Sequence, residues 1–168
     1  MTHVEKLLER YPTLKVTKDE IEKAIALIVA SHARGGKLLL CGNGGSSADC
    51  EHIAGELLKG FLSKRKMPSS DAEKLEFLGD SKEFFENNLQ RGIPAISLPS
   101  QAGIISAFCN DVEPSLVYAQ LVYAYKGDND VLVGLSTSGN SKNVVNAFKV
   151  AKAFGLKTIA FTGSKACA

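Results

Sequence analysis

Four short apolar runs, each separated from the next by helical or polar sequence, constrain this chain more than any other feature. They are KLLLC (37–41), PAISL (94–98), VLVGL (131–135) and KTIAF (157–161). Each is too short for a helix, and none alternates with polar residues as a half-exposed strand does, so each predicts a buried strand. The segments around them carry helical spacing. Val4, Leu7, Leu8 and Tyr11 form a short stripe that Pro12 ends, and Ile21, Ala24, Ile25, Ile28 and Val29 repeat at helical intervals up to Gly35-Gly36. Thr17 with Glu20 three residues on reads as a capping box for this second helix. Further helices are expected over 47–59, 101–109, from Pro114 to about 125, and from 142 to 154 before Gly155. Strands buried along their length and alternating with helices predict an α/β fold: a doubly wound parallel sheet with helices on both faces, preceded by N-terminal helices over 1–36.

At 168 residues one domain spanning 1–168 is expected. A net charge of +2 is too mild to argue for nucleic acid or a membrane surface, and the Lys64-Arg65-Lys66 cluster reads as a solvated loop. The start, MTHVEKLLERY, lacks the apolar core of a signal peptide, and no run is long enough to cross a bilayer. Cysteines at 41, 50, 109 and 167 show no zinc-type spacing, and Cys41 and Cys109 lie among apolar neighbours. These features predict a cytoplasmic protein with reduced thiols.

The segment 63–91 breaks the alternation. It is polar, with capping patterns at Ser70 (Glu73) and Asp80 (Glu83), and reads as a helical insertion docked through Leu75, Phe77, Leu78, Phe84 and Phe85. A lid, an oligomer contact and a surface decoration are all open to it.

Two loops carry the chemistry. Gly42-Asn43-Gly44-Gly45-Ser46-Ser47 leaves the first strand and opens a helix. It lacks the third glycine and the ribose-binding acid of a dinucleotide fingerprint, and the Gly-Lys-Ser/Thr of a P-loop, so no nucleotide cofactor is expected. Glycines that turn N–H groups inward, serine hydroxyls and a helix N-terminus suit a phosphate without a nucleoside. Ser136-Thr137-Ser138-Gly139-Asn140-Ser141 repeats these features after the third run. One such turn is ordinarily a helix cap; two on strand ends of one sheet can share a crevice and supply donors from several directions. On the helix after the first loop, His52 and Glu56 stand four apart on one face, with Asp49 near the same stripe. Spacing alone leaves a solvent-facing stripe, an acid–base pair and two metal ligands equally open. His3 and His32 read as surface residues.

Taken together, Cys41 through Ser46, Asp49, His52, Glu56, Asn110-Asp111, and Gly134 through Ser141 with Asn143-Val144, Gly155 to Thr158 and Thr162-Gly163 resemble the SIS (sugar isomerase) domain family. Within it, they resemble the phosphoheptose isomerases. The resemblance covers most of the chain outside the insertion and implies a flavodoxin-like sheet. It also implies isomerisation of a ketose phosphate, sedoheptulose 7-phosphate, to the aldose through an enediol. Ser136, Thr137, Ser138 and Ser141 would then hold the phosphate. Asn43, Gly44, Gly45 and Ser46, with Asn110 and Asp111, would line the sugar, and Glu56 would move the proton. His52 and Glu56 match zinc ligands in members that bind zinc, and a homo-oligomer, dimer or tetramer, is expected. The sequence departs from the family pattern in three places. The insertion is long, Lys59-Gly60-Phe61 stands where an arginine is common, and no counterpart is found for a final helix with a glutamine and a histidine. Weak or absent turnover is therefore expected of this form. The alternative is a non-catalytic SIS module that binds a phosphosugar or a protein such as a replication initiator.

Overall fold

The structure is a computed structural model and describes residues 1–164; Cys167 lies outside the described residues. Four parallel strands, β1 (Leu38–Gly42), β2 (Ala95–Ser97), β3 (Val131–Ser136) and β4 (Lys157–Thr162), form one sheet in the order β2-β1-β3-β4. Among the described residues eight α-helices join or precede them: α1 (His3–Arg10), α2 (Lys18–Ala33), α3 (Gly45–Leu58), α4 (Ser69–Ala72), α5 (Lys82–Asn88), α6 (Ala102–Asp111), α7 (Val117–Tyr125) and α8 (Lys142–Ala153). None of the described helices is long and apolar enough to cross a membrane.

The buried runs become strands for the reason their composition suggests: both faces are covered. Leu39, Cys41 and Leu132 point into a cluster with Leu98, Tyr118, Val122 and Ala147 from the β2–α8 side of the chain. Leu38, Leu40, Val131 and Val133 point the other way, against Cys50 and Ala54 of α3 and Leu27 and Ile28 of α2. Successive residues alternate faces, as the two-residue period of a strand requires. The fourth run departs from the expectation. In β4 only Ile159 is half-buried and the other five residues are exposed, because β4 pairs on one side alone and the two core clusters lie over β1 and β3.

Three capping boxes read from the sequence do not form. Thr17 ends a run of 3-10 turns with ψ 16°, and its hydroxyl donates to Leu14 O instead of capping α2. Ser70 lies inside α4, whose cap is Pro68, and α5 starts after Ser81, itself helical at φ −82°, ψ −13°. A side-chain cap needs an extended residue at the boundary, and tandem helical turns provide none. The box that does form joins Thr2 and Glu5 at the start of α1, where Thr2 is extended at φ −72°, ψ 166°.

The insertion is helical as expected: α4, 3-10 turns over Glu73–Ser81 kinked at Gly79, and α5. Its predicted docking fails in part. Phe77 is 82% exposed and Phe84 66% exposed, while Leu75, Leu78 and Phe85 are half-buried. The segment is held at its neck instead. Lys66 and Gln90 form an isolated antiparallel bridge. Arg65 donates through Nε to Arg91 O at 2.8 Å and through Nη2 to Leu57 O at 2.7 Å. Arg65 thus ties the neck to the end of α3, whereas Lys64 and Lys66 are exposed as expected.

Candidate functional site

The chain runs from β1 outward to β2, then returns to place β3 on the other side of β1. That reversal makes the gap beyond the carboxyl ends of β1 and β3 a topological switch point, where open α/β sheets accept ligands. Gly42 pairs in register with Leu135, so the two glycine-serine loops leave side by side, about 4.8 Å apart at their strands.

The first loop turns tightly. A Cβ on Gly42 would lie 2.8 Å from Ser46 Cβ and 3.0 Å from Leu135 O, so only glycine fits there. Gly44 takes φ +57° and starts α3 with no side-chain cap. The N–H groups of Ser46 and Ser47 turn back to Asn43 O and Gly44 O, each at 3.0 Å. In the second loop three hydroxyls converge. Ser136 Oγ lies 3.1 Å from Ser141 Oγ and 3.4 Å from Ser138 Oγ, at the start of α8, where Ser141 makes no side-chain cap bond. Ser136 is buried, and Thr137 and Ser138 are exposed. A groove of about 470 Å³ leads away from this loop between α8 and β4, past Gly134, Val144, Phe148 and Thr158.

The structure therefore brings together Asn43, Gly44, Gly45 and Ser46 with Ser136, Thr137, Ser138 and Ser141. It does not join the other expected residues to them by any described hydrogen bond. Asn110 and Asp111 occupy the last turn of α6, exposed, and Asn110 Nδ2 donates to Asp111 Oδ1 at 2.8 Å. His52 Nε2 and Glu56 Oε1 stand 3.7 Å apart on an open face of α3, with side chains 77% and 43% exposed. A catalytic zinc site takes three protein ligands. Here two donors stand together, and no group of three His, Cys, Asp or Glu able to hold a metal occurs among the described residues. These residues do not by themselves fit zinc.

Two contributors have no role assigned from the sequence, although Asn143 lies within the motif that carries the resemblance. Asn143 in the first turn of α8 makes two amide hydrogen bonds to Asn43, both 2.9 Å. The Tyr118 hydroxyl lies 2.7 Å from Gly42 O and 3.2 Å from Asn43 Oδ1. Tyr118 sits in the apolar stripe of α7, where the sequence signals only core. Burial, then the neighbouring thiols of Cys41, Cys50 and Cys109, push its phenol up to about 12.

Comparison with known proteins adds independent findings. The family model of the SIS domain matches residues 2–73 and 87–163, leaving out the middle of the insertion. The phosphoheptose isomerase of Aliarcobacter butzleri is 36% identical over 150 residues, covering 89% of this chain and 66% of that protein. That of Thermodesulfovibrio yellowstonii is 37% identical over 145 residues, covering 86% of this chain and 60% of that protein. The chain thus spans less than two thirds of the length of these curated relatives. The solved phosphoheptose isomerase of Francisella tularensis superposes with a TM-score of 0.69 at 27% identity, covering all of this chain and 79% of that one. The one from Neisseria gonorrhoeae gives 0.64 at 29% identity, over 98% and 77%.

Proposed function

This chain belongs to the SIS domain family, and from that premise we propose that it binds a sugar phosphate across the β1 and β3 loops and isomerises it as a phosphoheptose isomerase does. The observation that carries the reading is the convergence of three serine hydroxyls at the start of α8 beside the glycine turn that opens α3. A phosphate placed there meets hydroxyl donors from one loop and backbone N–H groups from two helix starts, with both dipoles favouring the anion.

In this reading the Glu56 carboxylate takes a proton from the hydroxymethyl carbon next to the ketone, giving an enediolate; a proton passes from the hydroxyl on that carbon to the former ketone oxygen, and Glu56 returns its proton to the former ketone carbon to give the aldose. His52, one turn away, is placed to exchange a proton with Glu56. The working form in this reading is a cytoplasmic homo-oligomer, and the exposed Val29, Phe61 and Leu62 are surfaces a second copy would cover.

A second reading, a SIS module that binds without turnover, is favoured by one observation: Glu56 stands on an open face with no enclosing wall among the described residues. Calorimetric titration with sedoheptulose 7-phosphate tests what both share. Binding should weaken by about tenfold to a hundredfold in Ser138→Ala, as loss of a charge-assisted hydrogen bond requires. No heat from the wild-type chain would sink both readings. Proton exchange into the bound sugar, abolished by Glu56→Gln, separates the isomerase from the binding module.

A further inference from the structure

The two loops are joined by a hydrogen-bonded bridge that phosphate binding alone does not require. It begins beneath the site at Tyr118, 5% exposed, whose hydroxyl proton lies between Gly42 O at 2.7 Å and Asn43 Oδ1 at 3.2 Å. It continues through the reciprocal amide pair, Asn43 Nδ2 to Asn143 Oδ1 and Asn143 Nδ2 to Asn43 Oδ1. It ends where the Val144 backbone N–H donates to Asn143 Oδ1 at 3.0 Å. That last bond settles the orientation of both amides. A backbone N–H can meet only the oxygen of Asn143, and with Asn143 fixed, Asn43 must present nitrogen to oxygen and oxygen to nitrogen.

The donor and acceptor count has a chemical consequence. Asn143 Oδ1 accepts from Asn43 and Val144, and Asn43 Oδ1 accepts from Asn143 while its other side faces the Tyr118 hydroxyl at 3.2 Å, whose one proton goes mainly to Gly42 O at 2.7 Å, so neither carboxamide oxygen is open to a ligand donor. Each amide nitrogen has used one of its two N–H groups. Toward a ligand the pair can therefore only donate. We infer that Tyr118, Asn43 and Asn143 form a positioning bridge that sets the separation of the two loops and makes the rim between them a donor-only edge for a carbonyl or hydroxyl oxygen of the sugar beside the phosphate. The inference rests on the proposed reading of these loops as the ligand site. Tyr118 itself touches no ligand. It is a positioning residue, acting through the Gly42 carbonyl at the bend where β1 becomes loop. The phenol keeps its proton across the neutral range, so it stays a donor there.

Two measurements on Tyr118→Phe test the bridge, since phenylalanine fills the ring's place and removes only the hydroxyl. In the unliganded protein, amide exchange followed by NMR should speed up about fivefold to tenfold at Val144, the loss of about one neutral hydrogen bond, while Ala151 in the same helix is unchanged. Unchanged exchange at Val144, or an equal acceleration along all of α8, overturns the bridge. By calorimetry, the variant should bind sedoheptulose 7-phosphate about fivefold to tenfold more weakly and inorganic phosphate within about twofold of wild type. Equal weakening of both overturns the donor edge. A wild-type chain that binds neither overturns the ligand-site reading and the edge with it, and the exchange at Val144 still decides the bridge on its own.

Discussion

Removing the Asp130 carboxylate should destabilise this fold strongly without touching the candidate site. The Asp130 side chain is 2% exposed and accepts three bonds: from Lys37 N–H at 2.9 Å, Lys37 Nζ at 2.6 Å and Gly127 N–H at 2.8 Å. These bonds join the residue before β1 to the turn before β3, at the amino ends of strands whose carboxyl ends carry both loops. Asp130→Ala leaves two backbone N–H groups without an acceptor, at about 1–3 kcal/mol each, and an ammonium without its partner. The Lys37 side chain is 27% exposed, so water recovers part of the last loss. The expected cost is about 3–5 kcal/mol, a fall of roughly 6–20 °C in midpoint at about 2–4 °C per kcal/mol for a chain of this size. Asp130→Asn keeps one acceptor but turns an NH2 toward Lys37 and should cost about 2–3 kcal/mol. Urea unfolding followed by circular dichroism measures both variants, and calorimetry with inorganic phosphate on the folded Asp130→Asn variant checks the site. A loss below about 1 kcal/mol in Asp130→Ala refutes the reasoning, as does a cost in Asp130→Asn equal to it. A changed phosphate affinity shows that the two ends of the sheet are not independent.

Other perturbations separate local from distant effects. Gly42→Ala places a Cβ against Ser46 and the Leu135 carbonyl, so it should cost about 1–3 kcal/mol and weaken phosphate binding, both read by a thermal scan with and without phosphate. Phe77→Ser, at an exposed position of the insertion, should change the unfolding free energy by less than about 0.5 kcal/mol in a urea titration, whereas a docked phenylalanine would cost several times that. The Tyr118 phenol, raised from 10.0 to about 12 in the folded chain, is deprotonated first in the unfolded chain. Its stabilisation is therefore full below pH 10 and lost as pH rises toward about 12, and the thermal midpoint of Tyr118→Phe should fall less steeply than that of wild type over this window. Burial, with the charges of Asp49 and Glu51, pushes the Cys50 thiol up to about 11, and burial raises Cys41 further. Alkylation near pH 8 should therefore leave both unmodified in the native protein by mass spectrometry, and rapid labelling of either refutes their burial.

Much of the architecture was legible because it is local. The four apolar runs, the glycine stops at Gly35 and Gly155, and the helical stripes each fall within a few residues of the observed elements. The hydroxyl-rich loop 136–141 and the glycine turn 42–47 were visible for the same reason. The capping boxes at Thr17, Ser70 and Asp80 misled, because a cap depends on the backbone angles of the preceding residue and not on the side-chain pair alone. Phe77 and Phe84 misled because apolar composition records only that a residue can be buried, while burial needs a surface opposite. The Lys64-Arg65-Lys66 cluster hid a structural contact because half-buried Arg65 finds its acceptors, Leu57 O and Arg91 O, on segments either side of it.

By itself the sequence determined that this is an α/β chain with two glycine-serine loops, each after a strand and before a helix, since both follow from patterns a few residues long. Only the tertiary structure decided that β1 lies between β2 and β3, with β4 outside β3. It likewise decided that the Tyr118 hydroxyl, 76 residues beyond Gly42, reaches its carbonyl, and that Asn43 meets Asn143 across 100 residues. Parallel strands are joined through crossovers, so neither their order nor their register is encoded in neighbouring residues. Both are set by which packing buries the two faces of the sheet, and the bridge between the loops exists only once that choice has been made.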